Sequence, residues 1–429
     1  MLLIEIIINN NRNMKEVKDL IVGAGISGLS YANFCGHNDY LILDKDSEIG
    51  GYCKTIKQDG FTWDYSGHFF HFQNEEIKEY ILSEMKGQEI LNVKKNAQVF
   101  YKDGYVDFPF QKNIHQLDKQ DFIDCLYDLF NNEYNDESSF KKMIYTKFGK
   151  SIGDMFLIPY NEKLYACDLD KLDAGAMGRF FPYANKEEII NNFKLPDNIS
   201  YNTYFTYPKG GAIEYVNSLF RRVLEHNVCL NEKIINIDTI NKIAITTKRK
   251  IKYQRLISSM PFTNLMEISD VKYDESIYSW NKVLVFNLGF DKKGSDKKNN
   301  WVYFPEKKYS FYRIGYYDNI FDDDRLSLYV ELGFNKDEIV DKEKYLNIIL
   351  SDLKEAGIIT DHELLSHVSI LMNPAYVHIN TKSEKDKLIK MNFFKKNEIY
   401  SIGRYGDWKY CSIEDNIIEA KELSKIINK

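Results

Sequence analysis

Val17-Lys18-Asp19-Leu20-Ile21-Val22-Gly23-Ala24-Gly25-Ile26-Ser27-Gly28 is the stretch whose reading decides the fold. Val17 to Val22 is short and rich in apolar and β-branched residues, the pattern of a buried parallel strand. Three glycines follow at once in G-x-G-x-x-G spacing. Gly23 permits a tight turn, Gly25 lets the backbone approach a pyrophosphate, and Gly28 lets the next helix pack close to the strand. That helix is predicted over Ile26 to Cys35, with Gly36 as its cap. A second strand, Tyr40 to Leu43, ends in Asp44. Asp44 lies about twenty residues beyond the first glycine, where an acid takes the ribose hydroxyls of an adenosine. The competing reading is a plain glycine-rich turn. The strand before it, the helix after it and the acid closing the second strand favour a dinucleotide-binding unit.

The rest of the composition bounds the function. The chain has 429 residues, enough for two or three domains. Apolar residues make up 44% and charged residues 28%, ordinary values for a soluble globular chain. The net charge of −6 argues against nucleic acid or an anionic membrane as the main partner. The 31 Tyr and 27 Phe supply flat faces suited to sugar or base contacts, although most will serve packing. Six cysteines are scattered without a C-x-x-C, so neither a zinc site nor a disulfide framework is expected, and reduced thiols in a cytoplasmic protein are. Met1 to Ile8 is apolar but too short to span a bilayer, and it lacks the flanks of a signal peptide. Asn9 to Asn13 reads as a disordered link, so 1–14 is expected to be a leader without catalytic use, with Met14 a candidate start.

Further motifs follow in order. Gly50-Gly51 lets the backbone run beside a cofactor. His68 and His71 lie three apart in an aromatic segment, and a metal would need a third ligand that is not evident. A helix is expected over Glu75 to Gly87 and a hairpin over Val99 to Val106 around Asp103-Gly104, with a loop from Asp107 to Asn113. From Asp118 to about Tyr201 the pattern is helical, including a helix over Leu172 to Phe181. Tyr207 to Gly211 breaks it and opens a helix to Leu224. Two strands are expected in Val228 to Thr247 and a buried strand at Leu256 to Pro261. Lys282 to Phe290, Trp301 to Phe304, Ser310 to Tyr317 and Leu326 to Phe334 alternate as an antiparallel sheet. A helix over Glu338 to Gly357, a strand over Glu398 to Ile402 and a helix over Ser412 to Ile427 complete the reading.

Together the motifs resemble the UDP-galactopyranose mutase family of flavoenzymes, the eukaryotic-type branch more than the usual bacterial one. The resemblance covers nearly all the chain after Met14. It rests on Gly23-x-Gly25-x-x-Gly28, Gly50-Gly51, Ser66-Gly67-His68, Phe108-Pro109-Phe110-Gln111, Pro159-Tyr160-Asn161-x-Lys163, Phe311-Tyr312-Arg313, Pro374-Ala375-Tyr376 and Gly403 through Tyr410. It implies FAD as cofactor, active when reduced by an external reductant such as NAD(P)H. The implied reaction interconverts pyranose and furanose forms of a nucleotide-diphosphate sugar, with reduced flavin N5 as nucleophile. Arg179 and Arg313 are then implied as phosphate ligands, with the hydroxyls of Tyr376 and Tyr410. An arginine fork donates two parallel bonds, which suits phosphate. Phe108, Phe110 and Gln111 match a uridine pocket. Asn161 and Tyr165 match sugar positions, Tyr165 standing where the family usually has Trp. His68 is implied at the flavin ring and Arg404 at the FAD pyrophosphate. Asp415 stands where the family usually has Gln. Gly23, Gly25, Ile26, Ser27, Gly28, Asp44, Lys45, Gly50, Gly51, Tyr52 and Gly403 complete the implied cofactor set, and Tyr317 joins Arg313 on one strand face toward the substrate.

The expectation is an α/β protein: a Rossmann-like FAD-binding domain with an inserted helical domain and an antiparallel β-sheet domain. The expected parts are 15–110, 205–270 and 391–429 for the FAD-binding domain, 111–204 for the helical insert and 271–390 for the sheet domain. No metal, no nucleic acid and no membrane insertion are expected; a homo-oligomer is compatible with the sequence. The rival reading is a flavin oxidoreductase of the amine-oxidase or desaturase type. A flavin-binding module without activity is the third, disfavoured by the presence of the implied phosphate residues.

Overall fold

The computed structural model describes residues 14–197 and 203–428. The leader read over 1–14 therefore lies outside the described residues, Met14 excepted. The glycine-turn strand runs Lys15–Val22 and the strand after it Tyr40–Leu43, paired in parallel from Asp19↔Tyr40 to Val22↔Leu43. On its other side Lys15–Val22 pairs in parallel with Lys250–Ser258. Ile234–Asp238 and Ile243–Thr246 form a hairpin that adds antiparallel strands to that edge. Ile399–Ser401 joins the C-terminal half of Lys250–Ser258 in parallel. Alternation assigns the two faces of this sheet. Ile21, Ile42 and Ile257 pack under helices Ile26–Phe34, Ile213–Phe220 and Ile413–Ile427. Leu20, Val22, Leu41, Leu43 and Leu256 face Phe262, Phe394 and Trp408 on the other side. Both faces are covered, which is why these strands read as near-continuous apolar runs.

The glycine turn closes as its residue types require. Gly23 has φ +104, and a Cβ on Gly28 would lie 1.9 Å from the Gly23 carbonyl oxygen. The helix can approach the strand this closely only without a side chain there.

The second sheet is built on Ser279–Phe290, flanked antiparallel by Ser327–Asn335 and Leu364–Met372. Arg313–Tyr316 and Trp301–Tyr303 continue it. Its far edge is the hairpin Ala97–Tyr101 and Gly104–Asp107, joined to Trp301–Tyr303 in parallel. One parallel joint thus enters a sheet predicted as wholly antiparallel. The strand Leu364–Met372 is not apparent in the sequence, because it sits half-exposed at the sheet edge and lacks a clear alternation.

The helices Lys119–Phe130, Phe140–Ile152, Ile158–Tyr165 and Lys186–Lys194 share a core with the second sheet. The helix predicted over Leu172 to Phe181 does not form. Asp173 accepts a bond from Gly175 N–H at 3.0 Å, Gly178 adopts φ +51, and only a single short turn, Gly178–Phe180, follows. A side chain bonding its own backbone, followed by a left-handed glycine, stops helix propagation. The predicted loop 107–113 contains a short 3₁₀ turn, Phe110–Lys112. Tyr204–Pro208 is a strand, paired with Ile90–Lys94, where the sequence suggested only a helix opening. The helix Thr381–Lys396 also escapes the pattern, since Ser383, Lys387 and Phe394 are its buried positions and no apolar stripe runs along it. Among the described residues no helix is long and apolar enough to cross a membrane.

Candidate functional site

A cavity of about 850 Å³ opens at the C-terminal ends of the parallel strands and runs to the face of the second sheet. At one end Gly23, Gly25, Ile26 and Ser27 meet Asp44, Lys45, Gly50, Gly51 and Tyr52. Asp44 Oδ2 accepts from Ala24 N–H at 2.7 Å and Oδ1 from Asp46 N–H at 2.9 Å. Burial pushes its carboxyl above the usual range, and those two bonds oppose the shift. Asp44 thus ties the glycine turn to the end of the second strand. A Cβ on Gly25 would meet no atom of another residue nearer than 3.8 Å, the backbone of Gly50 and Gly51. The groove between the two glycine segments is open because neither carries a side chain. The N-terminus of helix Ile26–Phe34 points at it, the arrangement that holds a pyrophosphate. The residues present therefore fit the ADP part of a dinucleotide.

At the other end the second sheet supplies charge. Arg313 pairs across strands with Glu331. Its Nε donates to Glu331 Oε2 at 2.7 Å, and its Nη2 lies 2.7 Å from the same oxygen. Glu331 Oε1 accepts from the Ser66 hydroxyl. Ser66 O in turn accepts from His68 N–H at 2.7 Å, so Glu331 links Arg313 to the His68 segment. The His68 ring is buried in the cavity wall. Burial, and then the Arg404 charge, push its pKa down to about 4, so the imidazole is neutral near pH 7.

Arg404 lies with its guanidinium carbon 4.9 Å from the Tyr376 ring centre and 4.6 Å from that of Tyr410. The two rings stack at 5.7 Å. Burial first, then the charge of Tyr376, pushes the Tyr410 hydroxyl up to about 12, so it is a donor at neutral pH. Asn281 clamps the Tyr376 segment: its side chain accepts from Tyr376 N–H at 2.7 Å and its main chain bonds Ala375 and Tyr376. Phe108, Asn161, Trp301 and Tyr303 line the same end.

Residues 21–82 match the NAD(P)-binding Rossmann-like domain family. Over 96% of the chain the structure superposes on a crystal structure of reduced UDP-galactopyranose mutase, with TM-score 0.88, 22% identity and 94% of that chain covered. Cyclohexylamine oxidase from Brevibacterium oxydans IH-35A is similar at TM-score 0.67 and 11% identity, over 96% of this chain and 100% of that one. A CLA-producing fatty acid isomerase from P. acnes gives TM-score 0.64 and 15% identity, over 96% and 98%. The chain has a Rossmann-type FAD-binding fold.

Within that fold several expected site residues lie away from the cavity. Arg179 is on the outer surface, its side chain 44% exposed. Its Nη2 sits 2.7 and 2.9 Å from the Asp415 carboxylate, and Nη1 donates to Gln73 Oε1 at 2.9 Å. Asp415 is the third residue of helix Ile413–Ile427 and closes a capping box with Ser412. Neither residue lines the cavity, and Arg179 does not share it with Arg313. Tyr317 is not on the strand face of Arg313. It starts a short helix, is fully buried, and accepts from Asp64 N–H at 3.1 Å. Phe110 packs on Phe156 in the core, and the Gln111 amide donates to Pro182 O. Tyr165 is buried one layer behind, its ring 5.8 Å from Tyr376. Gly28 and Gly403 shape the turn and its packing from behind the lining, a Cβ on Gly403 falling 2.4 Å from Ser27 Oγ.

Three residues escaped the sequence reading: Lys95 lines the cavity, and Glu331 and Asn281 hold the lining residues Arg313 and Tyr376 without lining it themselves. Glu331 had a signal, a lone acid inside the apolar run of Ser327–Asn335. Lys95 and Asn281 had none, since Lys94-Lys95-Asn96 reads as a solvated turn. Ligand atoms of Asp19, Cys35 and His37 come within 4.8 Å of one another. Asp19, however, is held by Arg255 at 2.6 and 3.0 Å and by the Tyr31 hydroxyl at 2.6 Å, which makes the group an ion-pair network under the first sheet.

Proposed function

We propose that this protein is an FAD-dependent mutase that interconverts the pyranose and furanose forms of a nucleotide-diphosphate sugar of UDP-galactose type. The observation that carries the reading is the pairing of Arg313 and Arg404 with the Tyr376 and Tyr410 hydroxyl-bearing rings in one buried cavity. Cations and neutral donors suit a diphosphate leaving group, whereas two buried arginines repel a cationic amine. The likeness in fold to a UDP-galactopyranose mutase structure supports it. FAD would be held by the Gly23–Gly28 turn, Asp44 and the Gly50-Gly51 segment, and in its reduced form it would supply the nucleophile at N5.

The chain's own residues position, neutralise and exclude water. Arg313, fixed by Glu331, holds the diphosphate in place and balances the charge that grows as it leaves. Tyr376 and Tyr410 donate to its oxygens. Neutral His68 adds no charge at the cavity wall. Phe108 offers a face to the base and Asn161 an amide to the sugar. The reductant is external, such as NAD(P)H, and the proposed location is the cytoplasm.

Incubation of the dithionite-reduced protein with a panel of UDP- and dTDP-sugars, followed by product separation, tests this. A furanose product formed without net consumption of reductant is expected. Stoichiometric NAD(P)H oxidation per product would instead establish the oxidoreductase of amine-oxidase or desaturase type.

A further inference from the structure

We propose that Tyr52 and Tyr405 are positioning residues that set the Tyr376 hydroxyl against the substrate's diphosphate from the cofactor side of the cavity; this rests on the nucleotide-sugar reading above. Tyr376 sits on an arch. Strand Leu364–Met372 leaves its ladder with Ser279–Phe290 at Met372↔Val283, and the chain rejoins that strand at Val377↔Trp280. Residues 373–376 span the gap, anchored on one side by the sheet beneath. Asn281 bonds Ala375 and Tyr376, and Asn373 Oδ1 accepts from Trp280 Nε1 at 2.8 Å.

The other side of the arch is held from the cofactor groove. The Tyr52 hydroxyl accepts from Asn373 N–H at 2.9 Å, and Tyr52 directly follows the Gly50-Gly51 segment. The Tyr405 hydroxyl donates to Ala375 O at 3.3 Å, and Tyr405 directly follows Arg404, whose guanidinium lies against the Tyr376 and Tyr410 rings. The Tyr52 and Tyr405 rings meet edge to face with centres 5.6 Å apart, and all three tyrosines, 52, 376 and 405, line the cavity. Asn373 is exposed, so water is able to satisfy its N–H without Tyr52. What the bond adds is a fixed place for the arch rather than much stability. With both hydroxyls in place, the Tyr376 ring is held against Tyr410 and Arg404. A donor displaced by about 1 Å loses much of its bond to a phosphate oxygen.

The test is calorimetric titration of UDP-galactose and of uridine into the oxidised flavoprotein. Tyr52→Phe and Tyr405→Phe keep the rings and remove one hydroxyl each. Each is expected to lower UDP-galactose affinity about two- to tenfold, the worth of a neutral hydrogen bond, with uridine affinity and flavin content unchanged. Tyr376→Phe should lower it likewise, and adding Tyr52→Phe or Tyr405→Phe to that variant should then cost nothing more. A merely structural role would not produce that coupling. Unchanged UDP-galactose affinity in Tyr52→Phe, Tyr405→Phe or Tyr376→Phe would overturn the inference alone. So would a matching loss for uridine, a loss of flavin, or a further loss on the Tyr376→Phe background. A wild type that binds no UDP-galactose would overturn the mutase reading itself, and the inference with it.

Discussion

Among the described residues Glu331 holds Arg313 from one side. Glu331 takes its Nε and Nη2, which leaves the remaining guanidinium edge toward the cavity. On the proposed function, removing the side chain removes a phosphate donor, and it strands the buried Glu331 carboxylate oxygen. A charge-assisted bond is worth about 1.5–3 kcal/mol, more when the partner stays buried and unpaired. Arg313→Ala should lower kcat/KM by roughly tenfold to a few hundredfold with FAD content unchanged. Lysine at 313 should recover part of the loss, because a point charge cannot span two oxygens as the fork does. Wild-type kinetics for Arg313→Ala on every nucleotide sugar tried would move the diphosphate site elsewhere. Arg179→Ala, by contrast, breaks an exposed pair with Asp415, and such pairs contribute on the order of 0–1 kcal/mol.

Among elements, the glycine turn separates binding from folding. A Cβ at position 25 has room in the protein, but one at position 28 collides with the Gly23 carbonyl. Gly25→Val should fold with a normal circular dichroism spectrum and melting curve yet be recovered without bound FAD. Gly28→Ala should lose stability whether or not cofactor is present, since the helix must move off the strand. A yellow Gly25→Val protein with full flavin content would exclude the groove as the pyrophosphate site. The short strand Val377–His378 offers a pH test. His378 is buried, with Nε2 2.9 Å from Tyr165 O, and burial pushes its pKa down to about 4. The unfolded chain takes up a proton near pH 6.5 that the folded one refuses until about pH 4. This group therefore costs stability progressively as pH falls from about 6.5 to 4, by at most about 3 kcal/mol. Denaturant titrations of wild type and His378→Gln should show their difference shifting in favour of the variant over that window. A difference independent of pH would mean the ring is protonated in the fold.

For the molecule as a whole, the cavity joins the ends of parallel strands to a sheet built from distant segments, so one wall can hold a cofactor and the opposite wall a substrate. Turnover should require reduction of the flavin once and then continue over many product molecules without further reductant, under exclusion of oxygen. Product that stops at one equivalent per reduced flavin would exclude a redox-neutral cycle.

The sequence by itself determined the parallel strands, the glycine turn with its acid, and most of the second sheet, because those signals are local. A Cβ clash, an apolar run buried on both faces and an alternating strand are each written in consecutive residues. Arg313, Arg404, Tyr376, Tyr410 and His68 could be nominated in the same way, from short motifs that the fold then gathers into one cavity. Tertiary structure alone decided which nominated residues face that cavity. Tyr317 leaves the strand register and turns into the core, and Arg179 follows a segment whose helix fails at Asp173 and Gly178. Lys95 enters the site from a stretch that reads as solvent-exposed. Its burial comes from Phe108 and Trp301, the latter two hundred residues away, and no local pattern encodes that contact.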